Sequence, residues 1–471
     1  MFHRIALTAF LFIAAMPAAA CAMEQSTAPM TLPDAVAYAL SHNPTVASAQ
    51  ASLTQAQHNL ALQRGVAWPT VNGTLQSFLA KSANYQGSFA ALGVAQQSVV
   101  SQNTAQVGIT NWNLTTGGFA FLALAASRAE AEQAANTLAN TEDQIATTVT
   151  NSFFTIVARK ALVDVDLVTL KYQNDLVDVA KIKERAGVAA GVDVLQAKTS
   201  SAKSESTLVG DRASVQDASE SLAQQIGAPI LTAFITPQTI PQPSMPHGTV
   251  DTLVGIAEVN RPDVGAAREA VLAARYTRKG WNVELYPQIA ISALMGNQFS
   301  PTSVALEQQQ VNQGCLSAKI FPCPTVPRGS FGFWSLEAIS TFTFPIVDYN
   351  ARHSERVNDD SQLASAESTY SSTRLQSELD VRQSYRAAQT AQSQVDWANQ
   401  EAAFGIESAR IAQLQYKAGV KTIYDVLQAQ QAATQAADDA VAARVNYVDA
   451  VVKLRVSLGT YDARSAVADL R

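Results

Sequence analysis

Residues 119–186 run for 68 positions without a glycine or a proline, and residues 351–418 do the same over another 68 with Gly405 as the one interruption. Proline costs about 3 kcal/mol and glycine about 1 kcal/mol inside a helix, so each stretch is free of helix breakers. A continuous helix of that length spans about 102 Å at 1.5 Å per residue. No compact domain houses such a rod, so the chain must be elongated. The return segments 192–226 and 422–458 span about 52–56 Å, and a helix over 45–67, opened by Asn43 as cap and Pro44 as first helical residue, adds about 35 Å. Placed end to end, the shorter helices nearly match the long one, giving each half of the chain two parallel columns.

The two long stretches are copies of one unit. Asn43-Pro44, 24 residues and Pro69 recur as Arg261-Pro262, 24 residues and Pro287, at an offset of 218. Farther on the offset is 232: Gly187 falls on Gly419, Asp193-Val194-Leu195-Gln196-Ala197 on Asp425-Val426-Leu427-Gln428-Ala429, and Gly227 on Gly459. The difference places a 14-residue insertion between Ile289 and Phe344. The expected organisation is a repeat over 23–227, a linker over 228–249 too rich in proline for a helix, a second repeat over 250–459 and a tail over 460–471.

Each long helix follows a segment of different character, 71–116 in the first repeat and 289–348 in the second. In the latter, Trp334, Leu336, Ala338, Ser340, Phe342 and Phe344 share one strand face, and Ser335, Glu337, Thr341 and Thr343 share the other. Alternation with aromatics near both ends is the pattern of a membrane barrel strand, although a half-buried strand of a soluble sheet alternates too. Two hairpins supply four strands, whereas the smallest known membrane barrels have eight. A barrel from this chain therefore requires several copies, because an open sheet leaves unpaired backbone groups in lipid.

Composition adds exclusions. With 33 basic against 39 acidic residues the chain offers no bulk positive charge for nucleic acid. The five histidines are scattered, and neither a phosphate-binding glycine loop, a nucleophile elbow nor a zinc-spaced cluster is present, so no enzyme, cofactor or metal centre is expected. Residues 1–22 read as an export signal, with Arg4, an apolar run and Ala20-Cys21-Ala22 as cleavage site; a lipid anchor on Cys21 is the competing reading. Beyond it lie Cys315 and Cys323, expected to pair in an oxidising compartment and to staple the lengthened hairpin loop.

The residues Ser41-His42-Asn43-Pro44, 187–197 and 416–427 (Tyr-Lys-Ala-Gly-Val-Lys-Thr-Ile-Tyr-Asp-Val-Leu) resemble those of TolC-type outer-membrane efflux proteins over nearly the whole mature chain. The resemblance implies a mainly α fold with a membrane β-barrel part: a homotrimer with a twelve-stranded barrel in outer-membrane lipid, continuing as a helical barrel into the periplasm of a Gram-negative bacterium. It implies a passive conduit for a tripartite efflux or type I secretion system, docked on a periplasmic adaptor and an inner-membrane pump, with the linker and tail forming an equatorial belt. The adaptor-docking turns correspond to Gly187-Val188 and Gly419-Val420, and the periplasmic gate to Asp193, Tyr416, Lys421 and Asp425. Lys421 replaces a frequent arginine, and Gln428 stands where well-known members carry a second acid. Local reasons for the same residues also exist, since glycine ends helices and an acid in a first turn caps them. An exported coiled-coil stalk is the alternative; it has no use for two aromatic-girdled hairpins at matching places. A single-hairpin periplasmic adaptor, in which duplication is not expected, is a third.

Overall fold

The computed structural model describes residues 29–66, 68–84, 96–113, 117–284, 288–299, 312, 322, 333–343 and 349–461. The expected export signal with Cys21, the Cys315–Cys323 bridge and the tail beyond Tyr461 lie outside the described residues. Among the described residues the first repeat forms α1 (Leu32–His42), α2 (Pro44–Val66), β1 (Val71–Asn84), β2 (Gln96–Asn113), α3 (Gly117–Arg185) and α4 (Gly191–Ile226). The second forms α5 (Val250–Asn260), α6 (Pro262–Glu284), β3 (Gln288–Phe299), β4 (Phe333–Thr343), α7 (Tyr349–Lys417) and α8 (Ile423–Ser457).

Sequence periodicity gave one helix ahead of each hairpin, and the structure has two. The break is chemical: proline lacks an N–H and holds its predecessor out of the helical region, so Asn43 (ψ 126°) and Arg261 (ψ 124°) are extended. The short helices were signalled by their caps. Thr31 and Asp34 form a reciprocal capping box on α1, and Thr249 accepts from the Thr252 N–H at the start of α5. Both begin after the same offset that relates the rest of the repeat.

The core repeats as well. Ala35 and Ala39 of α1 are buried, as are Leu253 and Ala257 at the matching places of α5. Val149, Ile156 and Leu222 correspond to Val381, Ala388 and Leu454, all essentially inaccessible. The first set packs with Phe153, Phe154, Val448 and Val452 in one cluster; the second packs with Tyr447 and Val451 in another. Each large side chain so buried contributes about 1.5–3 kcal/mol. These clusters sit midway along α3 and α7, where the linker laces across: Met30 pairs in parallel with Phe234, and the Tyr447 hydroxyl donates to Pro243 O at 2.8 Å.

α3 packs on α2 and α4 along one side and on α6 and α8 along the other, and α7 packs on α6 and α8. The lateral order is therefore α2/α4, α3, α6/α8, α7. In the third column Gly459 (φ +66°) turns the end of α8 against the start of α6, where an added Cβ would lie 2.7 Å from Arg261 N. Arg261 then reaches Asp263 at 2.6 Å and Asp380 at 3.0 Å, pinning α6 to α7.

The strands form one antiparallel sheet, β1-β2-β3-β4, so the two hairpins join through β2 and β3. Directly opposed residues share a face, and one face carries Val71, Leu75, Val107, Met295, Ala338 and Phe342. The other carries Asn72, Thr74, Gln106, Ser292, Glu337 and Thr341, with Leu294 and Ile339 as exceptions. A one-residue bulge between Ile109 and Trp112 keeps both faces in phase across the joint. Leu75 is 91% and Phe342 60% exposed, so the chain does not cover its apolar face. No helix among the described residues is long and apolar enough to cross a membrane.

Candidate functional site at the helical turns

α3 and α7 are both 69 residues long and reverse at the same end of the molecule. Gly187 (φ +71°) and Gly419 (φ +80°) supply the left-handed caps. Val188 N–H donates to Lys183 O at 3.0 Å and Val420 N–H to Gln415 O at 2.8 Å, closing the orphan carbonyls. Val188 and Val420 project at the tips, 68% and 75% exposed.

The starts of the return helices differ. Thr422 caps α8, and the Asp425 carboxylate accepts from Thr422 N at 3.0 Å and from its hydroxyl at 2.7 Å. These bonds, aided by Lys421, hold the Asp425 carboxyl below its ordinary range. Ala190 caps α4 without a side-chain bond, leaving Asp193 in the first turn uncommitted to a cap. Asp193 instead acts on Tyr416, whose phenol is pushed up first by burial and then by this carboxylate. The Tyr416 hydroxyl is buried without a hydrogen bond of good geometry.

Tyr416 is buried within the chain, packed with Leu176, Ala180, Val194, Ile423 and Val426. It therefore organises the two turns from inside and is not a wall residue of the single chain. Lys183, which the sequence reading missed, completes the link. Its Nζ donates to the Tyr416 carbonyl and stands 4.1 Å from the Tyr416 ring centroid, joining the end of α3 to the end of α7. Asp193, Lys421 and Asp425 are brought to the same end; Lys421 is exposed there.

Above the turns runs a buried polar seam between the two helical hairpins. Tyr172 donates to Ala409 O at 2.7 Å, and burial pushes its phenol up to about 12. Thr169 meets Thr434 at 3.1 Å, while Gln173 Oε1 and Asp166 Oδ2 are buried without partners. Asp166 on α3 faces Asp211 on α4 and Asp438 on α8; burial, then Asp211, then Asp438 raise its carboxyl to about 6. Burial, Asp211 and Asp439 likewise raise Asp438 to about 6. Among the described residues no group of three or more His, Cys, Asp or Glu is placed to hold a metal ion.

A family model described as "Outer membrane efflux protein" matches residues 35–228 and 253–460, one segment in each repeat. No match was found among curated proteins. Among solved structures, the outer-membrane channel OprN aligns with a TM-score of 0.72 at 16% identity, covering 91% of this chain and 90% of its own. The outer membrane protein VceC of Vibrio cholerae aligns at 0.73 and 19%, covering 91% and 96%. The CmeC outer membrane channel of Campylobacter jejuni aligns at 0.72 and 15%, covering 93% and 89%. At these identities the likeness is one of fold.

Proposed function

The chain belongs to the outer membrane efflux protein family, and from that premise we propose that three copies form a passive conduit reaching from the outer membrane into the periplasm. Its role is that of the outer-membrane channel in tripartite efflux. The observation that carries the assembly is the sheet with two open edges and an uncovered apolar face. In lipid every backbone N–H and C=O needs a partner, and four strands cannot close on themselves. Three chains supply twelve strands, with Leu75, Val107, Met295 and Phe342 toward lipid and Thr74, Gln106 and Glu337 toward the pore.

The helices then extend roughly 100 Å from the sheet, bringing Gly187-Val188 and Gly419-Val420 to a periplasmic adaptor and its inner-membrane pump. Asp193 and Asp425 form rings of negative charge at the narrow end, favouring cations. Tyr416 and Lys421 set the geometry of that gate, Tyr416 through the packing of the turns. An exported stalk would leave the apolar face of the sheet in water. The test is mass measurement of detergent-purified protein from outer membranes, followed by planar-bilayer recording. Trimers with cation-preferring conductance are expected; a detergent-free soluble monomer without conductance overturns the proposal.

A further inference from the structure

The sheet and the helical layer are open along the same two edges. β1 follows α2 and β4 leads into α7, so the β1 edge lies with the α2/α4 column and the β4 edge with α7. Whatever covers one edge of the sheet is carried to the corresponding edge of the helices.

Those outer columns carry matching stripes. α7 buries Val381, Ala388, Val395, Ala409 and Ala412 within its own chain. Turned away from them are Trp397, Phe404 and Ile411, seven residues apart and 68%, 72% and 43% exposed. α4 buries Val194 and Leu208 against its own chain, while Leu195, Ala202 and Val209, again seven apart, are exposed. Seven-residue spacing is that of a supercoiled helix seam.

The stripes also agree in height and size. Ile411, Phe404 and Trp397 stand 8, 15 and 22 residues before Gly419; Leu195, Ala202 and Val209 stand 8, 15 and 22 after Gly187. The bulk of Trp397 and Phe404 faces a helix whose neighbouring positions are Thr199, Ser206 and Gly210, and a Cβ at Gly210 would meet nothing within 4 Å. Lys198 and Lys203 flank the α4 stripe, and Glu401 and Glu407 occur at nearly the same heights on α7.

We propose that α7 of one copy docks its Trp397–Phe404–Ile411 stripe, antiparallel, along the Leu195–Ala202–Val209 stripe of α4 in a second copy, continuous with β4–β1 pairing between the same two copies. This rests on the trimer reading above and adds the register of the contact. The full chain carrying Cys315→Ser and Cys323→Ser is given the pair Phe404→Cys with Ala202→Cys, or separately Trp397→Cys with Val209→Cys. Each is oxidised in isolated membranes, and the same preparations are sized in detergent. More than half of the chains should migrate as interchain dimers and trimers, at least tenfold above either single-cysteine variant. Oligomers by mass without cross-linking from either pair overturn the register while leaving the trimer standing. Monomers by mass overturn the trimer reading itself.

Discussion

Replacing Asp166 by Asn should stabilise the protein at neutral pH and leave it unchanged in acid. The Asp166 carboxyl is held at about 6 against an ordinary 3.8, because its Oδ2 is buried without a partner while Asp211 and Asp438 approach from two other helices. Lys160, Arg212 and Arg444 line a neighbouring cavity, but among the described residues none of them is ion-paired with the cluster. A carboxyl raised on folding binds its proton more tightly in the native state, so the seam is most stable below about pH 4. It weakens as the pH rises and has lost the full difference above about pH 6. At about 1.4 kcal/mol per pH unit the rise corresponds to roughly 3 kcal/mol. Because Asp438 shares the same field, and water at the mouth of the seam screens part of it, we take about 1–3 kcal/mol for the cluster as a whole.

The assay is native-state hydrogen exchange, corrected for the intrinsic pH dependence, read over residues 430–441 of α8 at pH 4.5 and pH 7.5. In the unaltered protein, protection there should fall by about 5- to 100-fold on going to pH 7.5 relative to α8 residues 448–454, which pack in apolar clusters. Asp166→Asn should remove most of that fall. Equal protection at both pH values in the unaltered protein, or an Asn variant that follows it, would refute the reasoning.

Replacing both Asp193 and Asp425 by Asn should lower cation preference in planar bilayers with the trimer intact; unchanged selectivity would reduce the two acids to helix-start roles. Lys183→Gln removes the cation over the Tyr416 ring and should raise the open probability of the channel, with a silent variant assigning the link to packing alone. Gly459→Ala places a Cβ 2.7 Å from Arg261 N at φ +66°, and the backbone alone costs about 1–3 kcal/mol; a thermal midpoint equal to the parent would show that the joint yields. Cys315 and Cys323 should resist a cell-impermeant thiol reagent on intact cells until reduced, and labelling without reductant would disprove the bridge.

What the sequence made legible follows the range of the forces involved. The 69-residue helices announce themselves by the absence of breakers, and the turns by glycine, both local signals. α1 and α5 are equally local, but their Thr31–Asp34 and Thr249 caps stand beside a proline that diverts attention to the next helix. Tyr416 was visible through resemblance, yet its burial depends on Leu176 and Ala180, some 240 residues away in sequence. Lys183 gave no signal at all, since a lysine in the last turn of a helix is ordinary and only the fold shows that the Tyr416 ring lies beneath it. The same holds for Asp166, Asp211 and Asp438: each reads as one polar residue on an amphipathic helix, and three helices must meet before their charges compete. The duplication sharpens this point. Positions 232 residues apart reproduce the apolar core, Val149 with Val381 and Leu222 with Leu454, because burial is required of both copies. Asp193 and Asp425 share that offset but not a cap partner, Ala190 against Thr422, so the duplicated turns are alike in backbone and different in chemistry. A turn pair in which one acid is bound to its own helix and the other acts on Tyr416 can change its contacts at Asp193 while Asp425 holds the end of α8 in place.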